Sequence, residues 1–495
     1  MGRLDVKDIV IGKKKLIIPF ELALINDSHH LQCNKLLRFI PGRRAVFSGL
    51  WCEKKVVAKF FFKPFRYKKH VKKEIIGNGL LKQTKIPTST ILYSRFCKEL
   101  KSHILIFEFI DSSIDLGKIF EFDPYVDSNS LKITLSQKDT LSPQASCKKY
   151  LIPLVRLIAR IHHKVILHSD LHPDNFLLKN DTIYALDGAS IKQISARPLK
   201  KHLSLENLSV MLSQINIQSK NLLYDLARAY AGIRKYNNIS QVADTLEQLI
   251  KKSHGLRTVK YLKKIYRNST KIICQKSFSS FLLCHRKYYT PEMESFLQNP
   301  DIAFDNPGAS LLKAGNTATL VLYKIDGIEL VVKRYNMKNR FHALRLAFKK
   351  SRADISWRSA HLLMKSRINT PKPIAIKEVR FGPFRYKAFF ICEYIKGESA
   401  RKFLCGAKAE DVKITSESII EVFKKFKFLK ISHGDMKATN IIIQDNTPYF
   451  IDLDSMSWHK SKFLFSHAWK KDINRFMKNW KNNFQIVELF KELQD

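Results

Sequence analysis

Hydrophobic and polar residues alternate with the two-residue period of a β-strand near the start of the chain. Residues 44–49 and 55–60 flank a short charged turn and predict a β-hairpin. Residues 67–81 predict a helix, which the Ile-Pro-Thr sequence at 86–88 follows as a break. The apolar run over 104–110 predicts a buried strand. The chain therefore begins with a strand-rich region that carries one early helix.

A more helical region follows this strand-rich region. An amphipathic helix is predicted from apolar residues at the three-to-four spacing of one helical face: Leu151, Leu154, Ile158 and Ile161. The polar sequence His-Ser-Asp-Leu-His-Pro-Asp-Asn occupies 168–175, and a short apolar strand is predicted over 183–187. We expect the residues from about 200 to 290 to be helical and basic.

The second half of the chain repeats this order. Its predicted elements are a hairpin over 320–323 and 330–333, a helix over 353–365, a strand over 388–394, a helix through 419–429, a polar loop at 433–440 and a strand that ends at 452. A strand-rich lobe followed by a helical lobe, twice, predicts an α+β fold with two tandem bilobal domains. Turn residues near 299–308 favour a first domain over 1–295, with an extended helical C-terminal lobe, and a compact second domain over 296–495 with a short C-terminal lobe.

The charge of the chain is strongly basic. The 87 Lys and Arg residues outnumber the 44 Asp and Glu residues, which gives a formal net charge of +43. Such a surface favours anionic partners, although a lysine-rich genome explains the same composition. No nucleic-acid motif accompanies the charge, so we do not expect nucleic acid as the partner. The eight cysteines form no CxxC pair, which suits a reducing cytosol, and no signal peptide or apolar run of about 20 residues is visible.

The first half contains the residue types that phosphoryl transfer requires: a cation for the nucleotide phosphates, oxygen ligands for Mg²⁺ and a carboxylate that orients the acceptor hydroxyl. Lys59 ends a predicted strand, and Glu74 on the next helix is placed to form an ion pair with it. Asp170 is the candidate catalytic base. Asn175 and Asp187 are the candidate metal ligands.

The second half offers the same set as Lys333, Asp435, Asn440 and Asp452. The interval from base to asparagine is five residues and from asparagine to aspartate twelve residues, as in the first half. A capped turn explains one such string, whereas two copies in register, each in the same context, favour a catalytic function. Lys437, two residues after the base, is a further catalytic candidate that could contact the transferred phosphate.

These motifs resemble the lipopolysaccharide core kinase (Kdo/WaaP) family, a bacterial branch of the protein-kinase-like fold. The matching segments are 40–44, Glu74, 86–88 and 168–175 in the first half, and 312–319, 331–336, 433–440 and 451–454 in the second. The resemblance implies ATP with Mg²⁺, for which Mn²⁺ could substitute, and transfer to an inner-core sugar hydroxyl at the cytoplasmic face of the inner membrane. Members are also described as serine/threonine or tyrosine protein kinases, so the family does not fix the substrate class.

The chain departs from the kinase pattern at several positions. Neither half has a complete G-x-G-x-x-G loop, so Gly42 and Gly315 are the glycines expected near the nucleotide, helped by neighbouring basic side chains. The arginine that usually precedes the base is Ser169 in one half and Gly434 in the other. These changes favour a constitutive kinase for a small acceptor.

The helix that should hold Lys333 lacks a glutamate. Counting back from Thr370, as Glu74 counts back from Thr88, gives Ser356, and the only acidic residue on the predicted helix is Asp354. We therefore expect the second half to hold its lysine less firmly than the first.

The leading hypothesis is an ATP-dependent kinase that acts on an anionic glycolipid or sugar while bound peripherally to an anionic membrane surface. Two alternatives stay open: a serine/threonine-type protein kinase, and a tandem pseudokinase that regulates or scaffolds envelope biogenesis. The sequence does not decide between sugar and protein acceptors. It also leaves open whether both halves are active and what the oligomeric state is.

Overall fold

The computed structural model describes residues 9–11, 14–24, 29–40, 42–63, 66–120, 143–194, 199–215, 217, 219–269, 271–336 and 350–493. The chain divides into an N-terminal unit, residues 3–257, and a C-terminal unit, residues 258–495. This division lies earlier than the boundary expected between 295 and 296. The reason is that Ile272–Lys276 and Ser280–His285 are strands of the C-terminal sheet.

The described part of the N-terminal unit consists of a strand-rich lobe and a helical lobe. Its strands are β1 Ile9–Ile11, β2 Lys14–Leu16, β3 Phe20–Ala23, β4 His30–Ile40, β5 Arg44–Trp51, β6 Lys54–Phe62, β7 Ile91–Cys97, β8 Ser102–Glu108, β9 Ile114–Asp115, β10 Ile166–His168, β11 Phe176–Lys179, β12 Thr182–Ala185 and β13 Ile191–Gln193. Its helices are α1 Tyr67–Gln83, α2 Leu116–Phe120, α3 Pro143–His163, α4 Lys201–Leu212, α5 Lys220–Arg234 and α6 Ile239–Lys264, and the division between the units falls within α6. Short 3-10 turns occupy Pro173–Asn175 and Gly188–Ser190.

A six-stranded antiparallel sheet in the order β3-β4-β5-β6-β8-β7 forms the first lobe. The predicted hairpin is confirmed, and Val46 faces Lys59 across it. In β6, Val56, Ala58 and Phe60 are buried in the core on one face of the sheet. Because side chains alternate along a strand, Lys59 emerges on the opposite face. A second core, built around α3, α4 and α5, fills the helical lobe.

The C-terminal unit contains a larger sheet of seven strands. Its strands are β14 Ile272–Lys276, β15 Ser280–His285, β16 Ser310–Lys313, β17 Ala318–Ile325, β18 Ile328–Tyr335, β19 Pro373–Phe381, β20 Phe384–Glu393, β21 Glu398–Ser399, β22 Ile431–Ser432, β23 Ile441–Gln444, β24 Thr447–Phe450 and β25 Ser457–Trp458. Its helices are α7 Pro291–Gln298, α8 Ile302–Asp305, α9 Arg352–Lys365, α10 Ala400–Gly406, α11 Ala409–Leu429, α12 Lys462–Met477 and α13 Phe484–Leu489. The described 3-10 turns are Arg286–Tyr288, Ala438–Asn440, Leu453–Ser455, Lys478–Trp480 and Lys491–Leu493.

The large sheet has the strand order β14-β15-β19-β20-β18-β17-β16. The prediction that residues 200–290 are helical throughout is wrong for β14 and β15. Strand β14 pairs with β15, and β15 pairs with β19, which buries Phe281 and Leu283 of β15 in the core. Sheet and helices together confirm the α+β class. Within the parts of the chain that the structure describes, no helix combines the length and the apolarity that crossing a bilayer requires.

Candidate active site

In the N-terminal unit, the predicted ion pair between Lys59 and Glu74 is present. The Glu74 side chain is buried to 1% exposure, and its second carboxylate oxygen accepts the Ala189 N–H at 3.3 Å. Glu74 therefore links the lysine of the sheet to the segment that follows Asp187. Nζ of Lys59 also lies 4.6 Å from the ring centre of Phe107, an additional favourable contact for a cation.

Two glycines allow helix α1 to approach the Asp187 segment closely. A Cβ added at Gly77 would overlap the Gly188 carbonyl group, and a Cβ at Gly188 would overlap the Glu74 carbonyl oxygen. Larger residues at either position would push the helix outward. The close approach explains why glycine follows the candidate metal ligand in this half, and it brings Glu74 within reach of Ala189.

The candidate catalytic loop of this unit is held by hydrogen bonds. The Asn175 side-chain amide donates to the Asp170 carbonyl at 2.9 Å, so its own carbonyl oxygen is the atom that can face a metal ion. The Ser190 hydroxyl donates to Asp187 at 2.9 Å. Burial opposes ionisation of Asp187, but Lys59 and the Ser190 hydroxyl outweigh it and hold the pKa below its ordinary value. Asp187 is therefore an anion at neutral pH.

In the C-terminal unit, Lys333 contacts two carboxylates. Its ammonium group hydrogen-bonds to Asp452 and lies 3.0 Å from Oδ2 of Asp454. Arg352, at the start of α9, reaches the same Asp454 oxygen at 2.7 Å. Burial alone would lower the pKa of Lys333, but Tyr335 and the two carboxylates outweigh it and raise the pKa. Lys333 is thus a fixed cation.

The expectation that Lys333 is held less firmly than Lys59 is not met. Ser356 bonds to the Tyr335 hydroxyl at 2.9 Å, and Asp354 pairs with Lys350 at 3.4 Å, so neither replaces the missing glutamate. Asp454 provides the carboxylate instead, with a side chain only 3% exposed. It lies two residues after Asp452, as Ala189 lies two after Asp187. The carboxylate that holds the lysine therefore lies on a helix in the N-terminal unit and in the loop after Asp452 in the C-terminal unit.

The candidate base Asp435 lies between two cations. Nη1 of Arg475 is 2.8 Å from Oδ1 of Asp435, and Nζ of Lys437 is 3.1 Å from the same oxygen. The Asn440 amide donates to the Asp435 main-chain carbonyl at 2.8 Å, the same contact that Asn175 makes in the other unit. The catalytic candidates of this half are therefore brought together.

The loop that carries Asp435 is anchored by a buried carboxylate on α12. Asp472 is 2% exposed and accepts the main-chain N–H groups of His433 at 2.6 Å and of Gly434 at 3.0 Å. The His433 ring is buried and lies 3.0 Å from the Ile451 carbonyl. Burial lowers the pKa of His433, so the neutral ring serves packing and positioning rather than proton transfer.

The geometry also explains the missing arginine before the base. Gly434 has a φ of +81°, and a Cβ at this position would lie 2.5 Å from the Ser455 carbonyl oxygen. A side chain at this position would be strained by both the backbone conformation and the contact. Arg475 reaches the loop from α12 instead.

The Asn and Asp pairs suit Mg²⁺ in their chemistry. Magnesium prefers oxygen ligands and commonly takes one or two carboxylates, with substrate phosphates and water completing its shell. Among the described residues, no cluster of three or more His, Cys, Asp or Glu side chains forms a self-sufficient metal site. Burial opposes ionisation of Asp452, yet Lys333 outweighs it and keeps the pKa low. An anionic Asp452 beside Asn440 fits a metal held jointly with nucleotide.

The two candidate nucleotide glycines lie in the sheet lobes. Gly42 has a φ of +65° in the turn between β4 and β5, with no atom within 4 Å of an added Cβ. Arg44, two residues on, is close enough to Asp187 to help lower its pKa. A Cβ at Gly315, before β17, would lie 3.0 Å from the Ala318 carbonyl oxygen. A side chain is therefore disfavoured at Gly42 by the positive φ and at Gly315 by the nearby carbonyl oxygen.

Sequence analysis missed four residues of the C-terminal site: Arg352, Asp454, Asp472 and Arg475. One signal was available for Asp472. It lies on the apolar face of an amphipathic helix with Phe465, Ile473 and Phe476, where an acidic residue needs a buried partner. Arg475 lies one turn after Asp472 on the same helix, so a prediction that places Asp472 at the loop also places Arg475 near it. The contacts of Arg352 and Asp454 depend on the tertiary fold and have no local signal.

Residues 314–488 match the model of the lipopolysaccharide kinase (Kdo/WaaP) family. The match covers Lys333, Asp435, Asn440 and Asp452, and it supports the predicted resemblance over this part of the chain. The matching family is one of kinases, and the N-terminal unit lies outside the matched residues.

A 3-deoxy-D-manno-octulosonic acid kinase from Photobacterium damsela subsp. piscicida is 29% identical over 93 residues. These residues are 19% of this chain and 38% of that protein, so the chain spans well under half the length of the curated relative. A solved structure, WaaP in complex with acyl carrier protein, aligns with 14% identity and a TM-score of 0.33. The alignment covers 45% of this chain and 88% of that chain.

Proposed function

We propose that this protein is an ATP-dependent phosphotransferase that phosphorylates a sugar hydroxyl of the lipopolysaccharide inner core at the cytoplasmic face of the membrane. The observation that carries the proposal is the contact of Lys333 with Asp452, which joins two residues 119 positions apart. A lysine on the sheet beside a carboxylate after the catalytic loop is the arrangement that phosphoryl transfer uses. The family match over 314–488 supports the sugar as the acceptor.

Each residue of the C-terminal site has a role in this proposal. Lys333 binds the nucleotide phosphates, while Asn440 and Asp452 hold Mg²⁺, which supplies charge neutralisation on the phosphates when bound. Asp435 accepts the proton of the acceptor hydroxyl. The acceptor oxygen forms a bond to the γ-phosphorus as the bond between that phosphorus and the ADP oxygen breaks. Lys437 stabilises the negative charge on the transferred group.

We assign the transfer step to the C-terminal unit and propose that both units are kinase-like bilobal folds. Asp435 has two cations within 3.1 Å, and the family match lies within this unit. In the N-terminal unit, Lys59 and Glu74 form a complete pair that suits nucleotide binding, with Asn175 and Asp187 as metal ligands and Asp170 as base. An Asp170→Asn variant measures what this unit adds to the transfer.

The test is transfer of radiolabel from [γ-³²P]ATP with Mg²⁺ to three samples: deacylated inner-core oligosaccharide, casein, and buffer without acceptor. The proposal predicts label on the oligosaccharide above the buffer control. Label on casein alone would favour a protein kinase. Absence of label from both acceptors, with nucleotide still bound, would favour a tandem pseudokinase.

A further inference from the structure

The start of helix α12 exposes two large apolar side chains. Phe463 is 82% exposed and Leu464 is 61% exposed, whereas the next residue, Phe465, is buried. We refer to residues 460–464, all of which are exposed, as the Phe463 turn. Two adjacent apolar side chains that point to water on a folded surface are typical of a contact with another apolar phase.

The charged residues nearest to the Phe463 turn in the sequence are lysines. Residues 455–471 contain Lys460, Lys462, Lys470 and Lys471 and no Asp or Glu, which gives a formal charge of +4. All four lysines are exposed. Exposed Phe and Leu flanked by lysines is the composition of protein segments that lie in the headgroup layer of anionic bilayers.

The Phe463 turn is structurally coupled to the candidate active site. His459, just before it, bonds to the Ser432 hydroxyl at 2.7 Å, and Ile431 pairs with Trp458 in the same short sheet. Helix α12 then continues to Arg475, which contacts Asp435. The eleven residue steps from Leu464 to Arg475 correspond to about 17 Å of helix at 1.5 Å per step. Asp435 therefore lies at a fixed distance from the exposed turn.

We propose that the Phe463 turn inserts into the headgroup layer of an anionic bilayer and holds Asp435 at a set height above it. The identity of the acceptor rests on the proposed function, but binding to the bilayer does not. A second copy of the chain fits less well, because a stable dimer needs about 800 Å² per partner and two side chains supply far less. The lysines match anionic headgroups, and the two apolar side chains match the acyl boundary beneath them.

Vesicle co-sedimentation of the full chain tests the proposal. Vesicles of phosphatidylcholine are compared with vesicles of phosphatidylcholine and phosphatidylglycerol. The wild type is expected to bind the anionic vesicles. The double variant Phe463→Ser/Leu464→Ser should bind them at least about tenfold less tightly, and Lys460→Gln/Lys462→Gln should lose about fivefold per lysine.

The matched controls lie elsewhere in the same unit. Phe484 is 80% exposed at the start of α13 and follows two asparagines, so Phe484→Ser and Lys481→Gln remove one exposed aromatic ring and one exposed lysine outside the Phe463 turn. These controls should keep wild-type vesicle binding. All substituted side chains are exposed, and thermal unfolding verifies that each variant is folded. Equal binding by Phe463→Ser/Leu464→Ser and by the wild type would overturn the proposal, as would failure of the wild type to bind.

A second readout separates this proposal from the proposed function. Phe463→Ser/Leu464→Ser should transfer phosphate to soluble deacylated oligosaccharide at the wild-type rate. Vesicle binding with no transfer to any acceptor would contradict the proposed function. It would still support the Phe463 turn as a membrane contact. Wild-type binding to immobilised polyglutamate but not to anionic vesicles would assign the surface to an acidic protein and overturn the membrane proposal.

Discussion

Nζ of Lys333 lies 3.0 Å from Oδ2 of Asp454, a carboxylate 121 residues away in the chain. In the N-terminal unit the equivalent lysine is held by Glu74, which lies on a helix. The two units therefore hold the same cation with carboxylates from different elements. Arg352 completes the C-terminal arrangement, because it neutralises part of the charge that two nearby aspartates would otherwise concentrate.

Asp454→Ala should weaken both nucleotide binding and the fold. Loss of one partner from a buried ion pair costs about 3 kcal/mol of unfolding free energy. We expect the KM for ATP to rise by roughly tenfold to a hundredfold, the usual effect of removing a group that orients a ligand-binding residue. The control Asp354→Ala removes a carboxylate on α9 that pairs with Lys350 instead, and it should leave the KM for ATP unchanged.

Returning the acidic group to the helix tests the same relationship in the opposite direction. Ser356→Glu combined with Asp454→Ala places a carboxylate where Glu74 lies in the other unit. The double variant should bind ATP more tightly than Asp454→Ala, although Ser356 is 2% exposed and the larger side chain must be accommodated. An unchanged KM for ATP in Asp454→Ala would contradict the role assigned to Asp454.

Gly188→Ala should disrupt the N-terminal unit through helix α1. The new methyl group overlaps the Glu74 carbonyl oxygen, so the helix must move and the Lys59 to Glu74 contact lengthens. The expected loss is about 1–3 kcal/mol, measured by chemical denaturation.

Gly79 offers the matched control for this change. It lies on the same helix, with no atom within 4 Å of an added Cβ. Gly79→Ala should therefore stabilise the unit by roughly 0.5–1 kcal/mol, because alanine is the better helix former. Equal effects of the two substitutions would contradict the close packing described here.

The stability of the N-terminal unit should fall as the pH drops from about 6.5 towards 4. Burial lowers the pKa of His162 to about 4, and its ring contacts the Tyr230 hydroxyl at 2.7 Å and Asn207 at 3.0 Å. In the folded protein the His162 ring stays neutral, whereas in the unfolded chain it takes up a proton once the pH falls below the ordinary histidine pKa of about 6.5. Protonation therefore favours the unfolded state. The contribution of His162 to the free energy of unfolding is complete above about pH 6.5 and decreases by about 3 kcal/mol by pH 4.

Denaturant titrations at pH 7 and pH 5 measure this loss. His162→Gln should flatten the pH dependence, although buried His168 retains some of it because burial lowers its pKa as well. His202 has a side chain that is 74% exposed, so His202→Gln is the matched control and should leave the slope unchanged. A wild-type slope in His162→Gln would contradict the assignment.

Much of the architecture follows from local patterns. The hairpins, helix α1 and both candidate catalytic loops obey short periodicities and turn chemistry, which the sequence displays directly. Strands β14 and β15 were missed because they are short and lie next to a long basic helix. Their strand identity depends on the pairing of β15 with β19, a segment about a hundred residues later, and of β14 with β15.

The site was predictable where motifs are contiguous and not where contacts are long-range. Asp170 with Asn175 and Asp435 with Asn440 lie on single loops, so their spacing indicates the contact. Asp454 was missed because its partner Lys333 is on a distant strand and a helical carboxylate was expected. That expectation came from the first half, in which Gly77 and Gly188 allow helix α1 to pack closely against the segment after Asp187.

Arg475→Gln should lower the rate of phosphate transfer without unfolding the protein. Arg475 is 47% exposed and donates to the Asp435 carboxylate at 2.8 Å. Loss of one hydrogen bond to a charged group corresponds to about a tenfold fall in rate. The effect should appear in kcat more than in the KM for ATP. Lys471→Gln, an exposed change on the same helix, is the control and should keep the wild-type kcat.

Phosphate transfer by Asp435→Asn tests the central claim most directly. The substitution preserves size but removes the proton acceptor, and transfer from [γ-³²P]ATP to deacylated inner-core oligosaccharide should fall about a hundredfold or more. Asp445→Asn makes the same charge change in the turn between β23 and β24 and should retain wild-type transfer. Transfer by Asp435→Asn at the wild-type rate would contradict the assignment of the C-terminal unit as the kinase.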